Sequence, residues 1–291
     1  MYPCQKNIKI FLCKSLFKML FIPELPNSPP LPEYKIISLG FRCSVAGMIK
    51  RMGLKTESHP FDWLISRLHV IQDCIETNFN FFLHREQYIK LHTKTFEHKE
   101  SSERFICDEH IIMNRHYQPE TNLAYPMNTY KYNLAMNHRN LVENQADYDY
   151  YIRCVERFKN VIKSRENKMY VYVSPLYTME DFHVQTDQIM QEIYDFQSFL
   201  QKQIVFDESN ESNKTEPPQM IRSLYFIMVK NELNNKPHIS VLYDNETGSH
   251  YKYKILLLQT NDGFIDAGET FMGNYYEEQS IIENNILHFS K

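Results

Sequence analysis

Glycine is scarce in this chain, with seven in 291 residues. A backbone that wraps a phosphate needs several close together, and no GxGxxG or GxxxxGK[ST] run occurs, so a P-loop or dinucleotide cradle is excluded. An excess of charge of one sign is missing too. The 32 basic side chains stand against 36 acidic ones, a net charge of -4, which leaves no global basic field to hold nucleic acid; no nucleic-acid partner is expected. The 20 tyrosines and 19 phenylalanines therefore read as core and interface rather than as base-stacking platforms, which need a basic groove beside them.

Paired cysteine motifs are also absent. The six cysteines, Cys4, Cys13, Cys43, Cys74, Cys107 and Cys154, include no CxxC, which argues against a zinc ribbon or a disulfide-stapled scaffold and for reduced thiols in a cytoplasmic protein. The 12 histidines form no HExxH and no close cluster with Cys or Asp, so no metal is expected and no other cofactor is implied. Long apolar runs fail as well. KNIKIFLCKSLFKMLFIP is broken by Lys9, Lys14 and Lys18, short of the roughly 18 to 20 residues that span a bilayer, and no small-residue cleavage site follows it. It suits either weak contact with a membrane surface or packing on the domain.

What is present is enough apolar sequence for a folded core, 43% hydrophobic against 23% charged, and this excludes disorder for most of the chain. The proline-rich PELPNSPPLPE reads as a linker. We therefore expect residues 1–33 to form an amphipathic segment and linker, and residues 34–291 a single α/β domain. YKIISLG is a short buried strand. FRCSVAGMIKRMG follows at once, with Phe41, Val45, Met48 and Met52 at helical spacing and Gly53 as its stop.

Residues 60 to 160 are rich in His, Phe, Tyr and Asn and show helical periodicity in WLISRLHVIQDCIETNFNFFL and DYDYYIRCVERFKNVIKSR. MYVYVS, the long amphipathic TMEDFHVQTDQIMQEIYDFQSFLQKQ and SLYFIMV then make a βαβ crossover. ISVLYD and YKYKILLLQ flank Asn245-Glu246-Thr247-Gly248 and form an antiparallel hairpin. The fold expected is α/β: a mixed, largely parallel sheet flanked by helices with a C-terminal antiparallel hairpin. DESNESNKTEPPQ is an exposed loop.

Cys43 is the most informative position, because it lies in the first turn of a helix that follows a buried strand and a glycine. There the helix dipole favours a thiolate. The dipole contributes only about 0.3 to 1 kcal/mol, so a thiol starting near ~8.5 stays mostly protonated at neutral pH and needs a basic partner. Ala46 and Gly47 share its helical face and admit either a substrate or a neighbouring strand. On spacing alone, Cys43 as a small buried hydrophobe remains an alternative. Pro60-Phe61-Asp62-Trp63 reads either as a rigid turn, with Asp62 capping a helix that begins near Leu64, or as part of a site.

The segment ISLGFRCSVAGMIKRMGLKTESHPFDWL resembles the opening signature of the putative papain-like cysteine peptidase family, a group of uncharacterised proteins from bacteria and large DNA viruses. The matching positions are Ser38, Leu39, Gly40 and Cys43, then Ser58, Pro60, Phe61, Asp62 and Trp63. A looser similarity, to the family's histidine-bearing segment and arginine-containing helix, falls on NHRNLVENQADYDYYIRCVERF, with His138 as the histidine and Arg153 and Arg157 on the helix. The resemblance implies thiol acyl chemistry on a peptide or protein substrate: Cys43 attacks, His138 takes its proton, Asp62 or Asp147 orients the imidazole, and Ser38, Gly40, Phe41 and Trp63 line the oxyanion site and pocket. It also raises a two-lobed α+β architecture of the papain kind as an alternative fold. A non-catalytic α/β module that recognises a nucleotide, sugar or protein tail at the strand ends is the competing function.

Overall fold

A computed structural model of the chain describes residues 34–40, 43–92, 110–117, 133–136, 139–209, 219–231, 236–245, 250–260 and 275–290. The N-terminal segment 1–33, Phe41, His138, the side chain of Cys43 and the hairpin turn 246–248 lie outside the described residues.

Strand β1 (Lys35–Ser38) leads into helix α1 (Cys43–Arg51), as its sequence predicts. The helix stops where expected. Gly53 takes φ +72°, its amide donates to Lys50 O at 3.1 Å, and the Leu54 amide donates to Ile49 O at 3.0 Å. That pair of bonds satisfies the last carbonyls of the helix, and it needs a left-handed residue at Gly53.

Beyond α1 come β2 (Leu64–Ser66), α2 (Leu68–Glu76), α3 (Asn80–Leu83), β3 (Tyr88–His92), β4 (His110–Asn114), β5 (Leu134–Met136) and α4 (Gln145–Lys163). β6 (Lys168–Thr178), α5 (Met179–Ser209) and β7 (Ile221–Lys230) follow, then β8 (His238–Asn245), β9 (Tyr251–Thr260) and α6 (Tyr275–Phe289).

The main sheet has the order β1-β6-β7-β9-β8. Its first four strands are parallel, and β8 pairs antiparallel with β9, from His238 opposite Gln259 to Asn245 opposite Tyr253. This is the mixed, largely parallel sheet with a terminal antiparallel pair that the sequence indicates. Alternation along β6 sets its two faces: Met169, Val171 and Val173 meet Val45, Met48 and Ile49 of α1 and Ile282 and Ile286 of α6. Tyr170 and Tyr172 belong to the opposite core, with Val155 and Phe158 of α4 and Phe196 and Phe199 of α5. A central strand buried on both faces is the expected condition of a parallel sheet with helices on each side.

A second, antiparallel sheet of order β2-β5-β4-β3 corrects the start of the helical reading of residues 63–83, whose later part does form α2 and α3. Leu64–Ser66 is a strand, and the helix starts only at Leu68. Leu64 pairs with Met136 and Ser66 with Leu134, so the helical spacing of this stretch is broken by pairing with residues far along the chain. No described helix is long and apolar enough to cross a membrane.

Candidate active site

The strand-to-helix turn that carries Cys43 is built on Gly40. Its φ of +94° is one that side chains other than glycine rarely adopt, and a Cβ there would collide with Ser66 Oγ and sit 3.2 Å from Phe61 O. The end of β1 and the Pro-Phe-Asp-Trp turn are therefore in direct contact. Ser66 Oγ donates to Leu39 O at 2.9 Å, and the Gly40 amide donates to Ser38 Oγ at 3.3 Å. Both Ser38 and Ser66 are buried. Gly47, by contrast, has room for a Cβ, its nearest neighbour being the Arg51 guanidinium at 3.6 Å.

Asp62 is fully buried, but it caps no helix at Leu64, since that residue opens a strand. Its Oδ2 accepts the His59 amide at 2.7 Å and Lys55 Nζ at 2.5 Å. Its Oδ1 has no hydrogen-bond partner among the described residues. Burial pushes its carboxyl above the usual carboxylate value, against the pull of Lys55, the His59 amide and Arg157. The ion pair with Lys55, itself nearly buried, answers the cost of placing this charge inside. Sequence reasoning singles out neither Lys55 nor His59 for a role, because only tertiary burial brings them onto the Asp62 carboxylate.

His59 has the histidine position nearest Asp62 in the chain, yet it is unsuited to accept a proton. Burial lowers its pKa from 6.5 to about 3, helped by the positive charges of Lys55, Lys35 and Arg157. Its ring stands edge-on to Phe158 at 5.8 Å, and it stays neutral throughout the physiological range. Phe61 also contacts Phe158, at 5.4 Å, in the same aromatic cluster. Trp63 is half-buried.

Helix α4 forms the wall behind this turn. Arg157 Nε donates to Ser58 O at 3.0 Å, which ties the arginine-bearing helix to the start of the box; Arg153 is exposed. At the other end of α4, Asp147 Oδ1 accepts Arg139 at 2.7 Å and Oδ2 accepts the Asn140 amide at 2.9 Å. Asn144 caps the helix, accepting from the amides of Ala146 and Asp147. The Arg139 guanidinium lies 3.7 Å above the Tyr150 ring. Asp147 thus clasps the residues directly after His138 in the chain.

The two described thiols are poor nucleophiles. Burial pushes Cys74 up to about 12, and burial raises Cys154 despite its contacts with Tyr150 and Arg157. No group of three or more His, Cys, Asp or Glu side chains that could hold a metal occurs among the described residues.

A largely parallel α/β sheet whose first strand is followed by a helix opening on a cysteine, with a buried aspartate in the next turn, defines a class of protein more than a particular reaction. The chain is more specific than that. Residues 34–206, over half of its length, match the profile of the putative papain-like cysteine peptidases, and it belongs to that family. Comparison with curated proteins and with solved structures gave no match.

Proposed function

We propose that the protein is a thiol acyl hydrolase acting on a peptide or protein substrate, with Cys43 as nucleophile, His138 as base and Asp62 as the carboxylate that orients the imidazole. One observation supports this reading: described chain neighbours of Cys43 and of His138 bond to residues next to Asp62 in the chain. Leu39, four residues before Cys43, accepts a hydrogen bond from Ser66 Oγ at 2.9 Å, and a Cβ at Gly40 would sit 3.2 Å from the Phe61 carbonyl. On one side of His138, Met136 pairs with Leu64, two residues after Asp62; on the other, Arg139 is held by Asp147 and Tyr150 of α4, the helix whose Arg157 bonds to Ser58 O.

The two aspartates divide the work. Asp147 has both oxygens committed to residues 139 and 140, so it is a positioning residue for the segment that follows His138. Asp62 keeps one oxygen unpartnered, the acceptor an imidazole N–H requires. In the reaction the Cys43 proton passes to His138 and sulfur bonds to the acyl carbon. Electrons move onto the carbonyl oxygen, to which the first amides of α1, having no acceptor within the helix, donate. Collapse expels the amine with the His138 proton, and water then releases the acid from the thioester. Gly40 serves this arrangement by close approach rather than as a donor, its amide being engaged by Ser38.

The test is a burst experiment with a peptidyl 4-nitrophenyl ester, read by mass spectrometry of the trapped protein. An acyl adduct on Cys43, absent from Cys43→Ser and formed more slowly in His138→Ala, is the expected result. Absence of any adduct in the parent protein overturns the hydrolase and leaves the binding module.

A further inference from the structure

At the opposite end of the sheet from the Cys43 turn lies a cleft of about 440 Å³ lined by Tyr194, Gln197, Ser198, Gln201, Asn245, Tyr251 and Tyr253. Its position follows from register: Tyr251 pairs with Ile221, and Ile221 with Lys168, so it sits at the level where the parallel strands begin, whereas Cys43 follows the end of β1. The strands that supply Asn245, Tyr251 and Tyr253 lie beyond residues 34–206, the part that matches the family. The reaction proposed above makes no use of this cleft.

Three features define what it can hold. The size falls within the usual range for small-molecule sites, about 300 to 1,000 Å³. Among the described residues the lining has no Lys, Arg, Asp or Glu, and alternation along β9 turns Lys252 and Lys254 away; Lys254 pairs with Asp244 at 2.9 Å and lies over Phe289. The walls combine aromatic faces with neutral amides and hydroxyls. Tyr253 stacks on Tyr243 at 4.9 Å, and Tyr194 meets Tyr243 edge-on at 5.9 Å. The floor is rigid, because the buried Gln197 amide bridges the hydroxyls of Tyr225 and Tyr251. Ser198 and Gln201 stand exposed on the α5 rim.

From this geometry we infer that the cleft is a binding site for a neutral saccharide of one or two rings. A sugar presents C–H faces to tyrosine rings and a girdle of hydroxyls that both donate and accept, which is what serine, asparagine and glutamine side chains match. A nucleotide offers a comparable ring for stacking, but its phosphates would find no cation among the described lining residues, an uncompensated desolvation.

The test uses the full chain, titrated with a panel of neutral disaccharides (maltose, cellobiose and N,N′-diacetylchitobiose) and with AMP, and follows the tyrosine ring signals by NMR. At least one disaccharide is expected to shift the Tyr253 and Tyr194 signals saturably at millimolar concentration or below, with AMP without effect. Ser198→Trp, a change at an exposed helix position that fills the cleft, is expected to abolish the shift, and Gln201→Ala to weaken binding threefold or more. Unmoved tyrosine signals with every disaccharide, shifts that survive Ser198→Trp, or tighter binding of AMP each overturn the inference. Acylation of Cys43 in the burst experiment is the independent readout of the other site, so the two can fail separately.

Discussion

Replacing Gly40 by alanine probes the contact on which the proposed site is built. Two penalties meet there. The φ of +94° lies outside the regions open to an L-residue and costs about 1 to 3 kcal/mol. The new methyl also strikes Ser66 Oγ, and moving that hydroxyl breaks its bond to Leu39 O. Leaving a buried carbonyl without its donor costs roughly 1 to 3 kcal/mol. The total expected is about 2 to 6 kcal/mol, a large part of the stability of a typical domain. Gly53→Ala is the internal control: φ is +72° but nothing lies within 4 Å of the added Cβ, so only backbone strain of about 1 kcal/mol applies. The assay is urea unfolding followed by circular dichroism, with midpoints compared at constant slope. Placed in a Ser66→Gly background, Gly40→Ala should cost little beyond its backbone strain, since the struck hydroxyl and its bond to Leu39 O are already gone. Equal losses for Gly40→Ala and Gly53→Ala, or a Gly40→Ala loss in the Ser66→Gly background as large as in the parent, would refute the close approach of Gly40 and Ser66.

The buried charges give further expectations. Asp62→Ala leaves Lys55 without its partner and should cost about 3 to 5 kcal/mol, whereas Asp62→Leu with Lys55→Met should be much milder; urea midpoints decide. His59, held at about 3 against 6.5, binds its proton less readily folded than unfolded. Its contribution to stability is therefore lost as pH falls below 6.5, at up to about 1.4 kcal/mol per pH unit until pH nears 3, and His59→Leu should flatten that part of the profile. Glu278 has the opposite sign. Burial, with a smaller contribution from Glu277, raises its pKa from 4.5 to about 7, so the stability it contributes is full below 4.5 and fades as pH rises through 7; Glu278→Gln should remove that decline in thermal melts.

Sequence reasoning reached the first strand, its helix, the βαβ crossover and the hairpin because each is local. Gly40 and Gly53 punctuate a short strand and a periodic helix, and β6, α5 and β7 carry long, unambiguous runs. It missed the antiparallel sheet for the opposite reason: β2 and β5 have three residues each, too few to show a period of two, and their partners lie some 70 positions apart. Within the candidate site the boxed residues Ser38, Gly40, Cys43 and Asp62 were legible as types in a pattern. Their surroundings were not, because Ser66, Lys55 and His59 acquire meaning only when tertiary packing buries them against that turn. Asp147 was legible as a nearby carboxylate, but its grip on Arg139 and Asn140 depends on the turn that opens α4.

The most direct measurement is the alkylation rate of each cysteine by iodoacetamide between pH 6 and 7, resolved by peptide mapping. Cys43 should react well ahead of Cys74 and Cys154, whose thiols burial keeps protonated, and His138→Ala should slow it at least tenfold while leaving the other two unchanged. A Cys43 that reacts no faster than the buried pair, or whose rate ignores the loss of His138, would contradict the proposed nucleophile and base.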